Sequence, residues 1–105
     1  MRIVWSRQAV YSWQRIADYI KETFGIKTML SFRAETSLAQ KQLLFHPLIG
    51  SFETRNDSGI EFRYMLINRR SKMIYHIDME YIYIDTFWDT RMDPQDLIGQ
   101  LNEIN

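Results

Sequence analysis

Three strand-like segments follow one another closely in the second half of the chain, and they constrain the fold more than any other feature. They are IEFRYMLIN (60–68), KMIYHID (72–78) and YIYIDTFW (81–88), all rich in β-branched and aromatic residues. The stretches between them are short enough to be hairpin turns. The sequence therefore predicts an antiparallel meander, and its apolar side chains require a second layer to cover at least one face.

The first half of the chain predicts two helices that could form this second layer. Ser6 is a suitable N-cap for a helix that ends near Phe24, and Gly25 stands where a left-handed C-cap is expected. A second helix is expected from about 27 to 45. Since one glycine separates the two helices, we expect them to form an antiparallel helical hairpin.

The remaining segments are shorter and complete the predicted architecture. A strand is expected at 2–5, a loop or frayed edge strand at 46–59, and a helix that begins at Pro94 after an Asp93 cap. The predicted fold class is α+β. An N-terminal strand and a helical hairpin would pack on a three- to four-stranded antiparallel sheet, followed by a short C-terminal helix, in one domain spanning 1–105.

Composition and charge narrow the possible functions. The chain has 13 basic and 13 acidic residues and a formal net charge of zero, so it lacks the basic excess typical of nucleic-acid-binding domains. It has no cysteine, which excludes disulfides and thiolate metal sites, and we expect neither a metal nor a cofactor. No segment approaches the roughly 20 apolar residues of a membrane span. The start does not resemble a signal peptide, so a cytoplasmic protein without membrane contact is expected.

Alternation along the strands assigns side chains to two faces. We expect the following set to pack on the hairpin: Phe62, Tyr64, Leu66, Met73, Tyr75, Ile77, Ile82, Ile84 and Thr86. The opposite, open face would then carry Arg63, Met65, Lys72, His76, Tyr83 and Asp85. Arg91 would reach this face from the rim of the sheet. Such a face could bind a phosphate and assist proton transfer, or it could simply be the solvated face of an antiparallel sheet.

The order of these elements, together with several short motifs, resembles the RelE/ParE superfamily of bacterial toxins. The motifs are the opening IVWSRQA, YI and FG at the end of the first helix, P-x-x-G at 47–50, FRYMLI, KMIYHID and WDTRMDP. The resemblance covers nearly the whole chain. It implies a growth-inhibiting toxin of a type II toxin–antitoxin module (a plasmid stabilisation protein), held inactive by a cognate antitoxin protein.

The resemblance implies one of two activities. RelE-like members cleave messenger RNA on the ribosome and use cationic side chains to stabilise charge on the phosphate, whereas ParE-like members bind DNA gyrase and lack that catalytic set. For a RelE-like enzyme, the resemblance implies that the catalytic residues are Arg63, Lys72, Arg91 and, as acid or base, His76. For a ParE-like binder, the residues expected to contact the target or the antitoxin are Arg63, Met65, Lys72, Tyr83 and Arg91.

Departures from the RelE pattern favour the ParE branch. Met65 stands where a second basic residue is usual, and no tyrosine follows Arg91. The neutral charge points the same way, because a ribosome-binding nuclease gains affinity by displacing counterions from phosphates. We therefore expect a ParE-like binder. A RelE-like ribonuclease acting on the ribosome with messenger RNA is the alternative, and a fold relative without toxicity is a third interpretation.

Overall fold

The computed structural model describes residues 1–105 and contains one sheet and three helices. The elements are β1 (Arg2–Trp5), α1 (Arg7–Phe24), α2 (Ile26–Phe45), β2 (Ser51–Arg55), β3 (Glu61–Ile67), β4 (Ser71–Asp78), β5 (Tyr81–Asp89) and α3 (Pro94–Leu101). The strand order is β1-β5-β4-β3-β2, with β1 parallel to β5 and all other neighbours antiparallel. The expected α+β fold is confirmed. The sheet has five strands because β1 and β2 pair at its two edges.

The first helix begins and ends where the sequence predicts. The Ser6 hydroxyl accepts a hydrogen bond from the Ala9 amide at 3.0 Å. Gly25 has a φ of +95°, a left-handed backbone that favours glycine, and its amide closes the last turn on the Lys21 carbonyl. The chain reverses at this residue, so α1 and α2 pack together as a hairpin over the sheet.

The hairpin and one face of the sheet enclose the main hydrophobic core. From the strands, the buried members of this core are Ile67, Met73, Tyr75, Ile82, Ile84 and Phe87. From the helices they are Ala9, Ala17, Ile20, Phe32, Ala39 and Leu43. Ile77 packs against this core as well, so all five residues of β4 and β5 from Met73 to Ile84 that were predicted to face the hairpin do so. Burying large side chains in this way supplies most of the driving force for folding.

The predicted faces of β3 are wrong. Met65 lies directly opposite Met73 and packs on the hairpin core together with Ile67. Phe62 and Tyr64 point to the other side instead, where they join a second cluster beneath α3. The alternation could not decide the face because both sets of β3 side chains contain apolar residues.

The second cluster exists because α3 also has an apolar side to bury. Leu97 and Leu101 of α3 pack on Phe62 and Ile74, and all four side chains are almost fully buried. Much of the sheet face that was expected to be open is therefore covered by a helix.

The faces of β5 change within the strand because of a β-bulge. Tyr75 lies opposite Ile84 and Ile74 opposite Thr86, so Asp85 is an extra residue between the two pairs. Beyond the bulge, Phe87 rather than Thr86 packs in the hairpin core. The prediction of Thr86 on the hairpin side is wrong for this reason.

A tight contact between the 46–50 loop and the sheet anchors the end of the hairpin. The Gly50 amide donates to the Tyr75 hydroxyl at 3.0 Å, and this hydroxyl donates to the Pro47 carbonyl at 2.7 Å. Burial raises the pKa of the Tyr75 phenol above its ordinary value. A Cβ atom at Gly50 would lie 2.5 Å from this hydroxyl and 2.8 Å from the Tyr64 carbonyl oxygen. The P-x-x-G motif thus has a packing role.

We predict that Gly50→Ala lowers the free energy of unfolding by about 1–3 kcal/mol, because the added methyl overpacks a closed contact. The matched control is Gly99→Ala in α3, where an added Cβ meets nothing within 4 Å. That change should be neutral or stabilise the protein by up to about 1 kcal/mol. Urea unfolding measures both values, and a Gly50→Ala variant as stable as wild type would contradict this packing.

Candidate functional site

Arg63 lies on the hairpin side of the sheet, at the end where the 46–50 loop crosses it. Its guanidinium donates to the Gly50 carbonyl at 2.8 Å and to the Leu48 carbonyl at 3.3 Å. It also forms an ion pair with Glu61 at 3.1 Å, and a quarter of its side chain is exposed. The placement of Arg63 on the open face, together with Met65, was therefore wrong.

Lys72 lies on the opposite side of the sheet from Arg63. Its ammonium group forms an ion pair with Glu53 of β2 at 2.7 Å and sits 4.5 Å from the centre of the Tyr64 ring. The carboxylate and the ring together hold the cation in a fixed position. Lys72 and Arg63 thus have separate partners on separate faces, and they do not converge on one ligand.

Arg91 lies at the rim, beyond the end of β5, and is bound by Asp89. Its Nη2 and Nε atoms donate to the two Asp89 oxygens at 2.7 Å and 3.1 Å. This bidentate pairing raises the pKa of Arg91 and lowers the pKa of the Asp89 carboxyl. More than half of the Arg91 side chain is exposed. The three predicted cationic residues are therefore all paired with carboxylates, and they occupy three separate places.

His76, Tyr83 and Asp85 are the members of the predicted face that the structure brings together. His76 Nδ1 lies 2.6 Å from Asp85 Oδ2, and only 12% and 5% of the two side chains are exposed. The Tyr83 ring stacks on the imidazole at a centroid distance of 5.1 Å, and Phe62 contacts it edge-on at 5.4 Å. The bulge in β5 places Asp85 in this pair. Burial raises the pKa of the Asp85 carboxyl, and the hydrogen bond with His76 opposes that effect.

A groove beside α3, which we call the α3-side groove, exposes the edge of this pair. It has a volume of about 560 Å³ and is lined by His76, Tyr83, Asp85, Asp78 and Glu103, among others. Neither lysine nor arginine lines it. An imidazole oriented by a carboxylate can accept or donate a proton, but the surrounding carboxylates make this groove unfavourable for a phosphate.

A second groove follows the seam between α1 and the end of β5, and we call it the seam groove. Its volume is about 350 Å³, and its lining includes Tyr11, Arg15, Tyr19, Trp88 and Arg91. Apart from Arg91, these residues are not among the site residues predicted from the sequence. In the sequence, Tyr11, Arg15 and Tyr19 follow one another at intervals of four residues, and this spacing places all three on one side of a helix.

The seam itself is closed by hydrogen bonds beneath this groove. The Phe87 amide donates to the Ser12 hydroxyl at 2.9 Å, and the same hydroxyl donates to the Gln8 carbonyl at 2.7 Å. Ser12 is the one polar residue among the buried side chains of α1. The groove therefore has a rigid floor that holds α1 at a fixed distance from β5.

No group of three or more histidine, aspartate or glutamate side chains is placed to hold a metal ion. None of the helices has the length and apolar character that crossing a bilayer requires.

The chain is similar to known proteins in its three-dimensional structure. No protein-family model and no curated protein sequence matches the chain. A solved structure described as "Chromosomal ParDE TA system from P. aeruginosa" contains a chain that superposes with a TM-score of 0.68 at 18% sequence identity. The match covers 85% of this chain and 95% of that chain. The two chains share a fold, and the RelE/ParE-like fold expected from the sequence is confirmed.

The raised pKa of Asp85 predicts how stability depends on pH. A group with a higher pKa in the folded protein stabilises the fold below its unfolded pKa, here 3.8, and this contribution is lost as the pH rises through the folded pKa. The free energy of unfolding of the wild type should therefore fall relative to that of Asp85→Asn as the pH rises from just below 3.8. Urea unfolding at a series of pH values measures this difference. A wild type that instead gains stability relative to the variant over this range would contradict the burial of Asp85.

Proposed function

We propose that this chain is the toxin of a bacterial type II toxin–antitoxin module, that it acts by binding a protein target, and that an antitoxin protein neutralises it. The target expected for a ParE-like toxin is DNA gyrase. The proposal is supported by the shared fold with a chain of the ParDE system and by the motifs described above. A cytoplasmic location would follow from such a target.

The arrangement of the cations favours a protein-binding toxin over a nuclease. A nuclease needs several positive charges around one phosphate at the moment when charge develops on it. In this chain Arg63 and Lys72 occupy opposite faces of the sheet, and Arg91 lies at the rim. Each is already neutralised by a carboxylate. Bringing them to one phosphate would require breaking all three ion pairs.

The expected contact residues differ in how accessible they are to a protein partner. Arg91 is the most exposed, and about a quarter of the Lys72 side chain is accessible. Tyr83 is half-buried on His76, and Arg63 is tied to the 46–50 loop. Met65 packs against the hairpin core. We therefore propose that Arg91 contributes more to target or antitoxin binding than the other four residues do, since Arg63 and Lys72 each expose only about a quarter of their side chains.

One observation favours the RelE-like ribonuclease as the second candidate. A pocket of about 410 Å³ at the end of β4, beside the start of β3, is lined by both Arg63 and His76. His76, oriented by Asp85, could take the proton of a ribose 2′-hydroxyl while Arg63 balances charge on the phosphate. Glu61 and Asp78 line the same pocket and weaken its affinity for RNA.

The experiment combines growth, supercoiling and messenger RNA assays on wild type and His76→Gln. Expression in a bacterial host without antitoxin should arrest growth, and the purified protein should inhibit gyrase supercoiling and leave messenger RNA on translating ribosomes intact. His76→Gln should keep both effects, because binding does not need an acid–base group.

Two results would contradict parts of this proposal. Codon-phased cuts that fall by roughly 10²–10⁴ in His76→Gln would establish the ribonuclease, since this is the usual contribution of general acid–base catalysis. Unimpaired growth at high soluble expression would instead favour a fold relative without toxicity.

A further inference from the structure

The seam groove presents side chains from α1 opposite side chains from the end of β5. Tyr11, Arg15 and Tyr19 project from one side of α1, and the two tyrosines are 57% and 49% exposed. Trp88 and Arg91 face them across the groove. Large aromatic side chains and arginine are enriched where proteins bind partners. Tyrosine and tryptophan bury much area for a small loss of rotamer freedom, and arginine offers five hydrogen-bond donors.

The charge of this groove is positive although the whole chain is neutral. Arg15 and Arg91 line it, and Arg70 lines an adjoining cavity, whereas Asp89 is the one carboxylate of the two cavities. Asp89 is occupied by Arg91, and neither Arg15 nor Arg70 forms an ion pair. Arg15 instead lies 5.7 Å from the centre of the Tyr11 ring. Two arginines therefore remain available to an anionic ligand.

The α3-side groove has the opposite charge, with Asp78, Asp85 and Glu103 in its lining. The two grooves thus differ in the sign of their charge. An anionic partner approaching the protein would be attracted to the seam groove and repelled from the α3-side groove.

The dimensions of the seam groove fit a segment of polypeptide. Its cavity of about 350 Å³ and the adjoining cavity of about 250 Å³ share Tyr19, Asp89 and Arg91, so they form a continuous depression. Each cavity has room for one or two side chains, and the pair would accept an extended stretch of a few residues.

We propose that the seam groove binds an acidic, extended segment of a partner protein that carries aromatic or other apolar side chains. Arg15 and Arg70 would pair with its carboxylates, and Tyr11, Tyr19 and Trp88 would cover its apolar side chains. Nucleic acid is a poorer ligand, because among the arginines of the two cavities only Arg15 and Arg70 are free of ion pairs and could displace counterions from phosphates. The inference rests on the proposed function only in expecting a protein partner, and it adds the surface and the chemistry of that partner.

The test uses a short fluorescein-labelled peptide of glutamates with two phenylalanines, titrated with the full-length protein and followed by fluorescence anisotropy. We expect saturable binding that weakens about tenfold in Arg15→Glu. The matched control is Arg33→Glu, an equal charge change at an exposed position of α2 outside both cavities, which should bind as wild type does. Thermal unfolding of both variants verifies that each remains folded.

Three outcomes would overturn the proposal. One is the absence of saturation up to millimolar protein, and another is equal weakening by Arg15→Glu and Arg33→Glu, which would indicate nonspecific attraction. The third is tighter binding of a single-stranded oligonucleotide than of the acidic peptide, with loss in Arg15→Glu, which would make the groove a nucleic-acid surface. None of these binding results depends on whether the chain arrests growth, so failure of this inference is distinguishable from failure of the proposed function.

Discussion

The register of β3 on β4 decides which charged side chains share a face, and the functional interpretation depends on it. Met65 opposite Met73 fixes Arg63 on the hairpin side and leaves Lys72 on the other side. A shift by one residue would exchange the two sets of β3 side chains and bring Arg63 to the side of Lys72. It would also move Met65 out of the hairpin core and Phe62 away from α3. Packing of apolar residues on both faces therefore holds the cations apart.

The bulge at Asp85 has a comparable effect on the other side of β4. Because of the bulge, Phe87 packs in the hairpin core while Asp85, two residues earlier, forms a pair with His76 on the opposite face of the sheet. The result is an acidic groove beside α3 with a single imidazole. The chain as a whole is neutral, so these carboxylates are balanced by cations on other parts of the surface. Two cations without an ion pair are Arg15, which lines the seam groove, and Arg70, which lines the adjoining cavity.

The sequence was sufficient for the elements that have local signals. Ser6 and Gly25 mark the ends of α1, and Asp93 caps α3, as their side-chain chemistry predicts. The resemblance to RelE/ParE toxins led to the correct fold because it depends on the order and spacing of such elements.

The faces of the sheet needed information that no single strand contains. Both parities of β3 are partly apolar, so its face is chosen by α3, which is distant in sequence. The partners of the cations also come from elsewhere: Glu53 of β2 binds Lys72, yet its segment was predicted only as a loop or frayed edge strand. The bulge at Asp85 has no marker such as glycine, and alternation alone continues through it.

Nuclear Overhauser contacts between methionine methyl groups, in protein labelled at those methyls, measure the register of β3 on β4 directly. We expect a cross-strand contact between Met65 and Met73, with both methyl groups also contacting the core beneath the helical hairpin. Contacts of the Met65 methyl with Ile74 and Leu97 instead would place it beneath α3 and reverse the faces of β3. Arg63 and Lys72 would then share one face, and the argument for a binder over a nuclease would lose its basis.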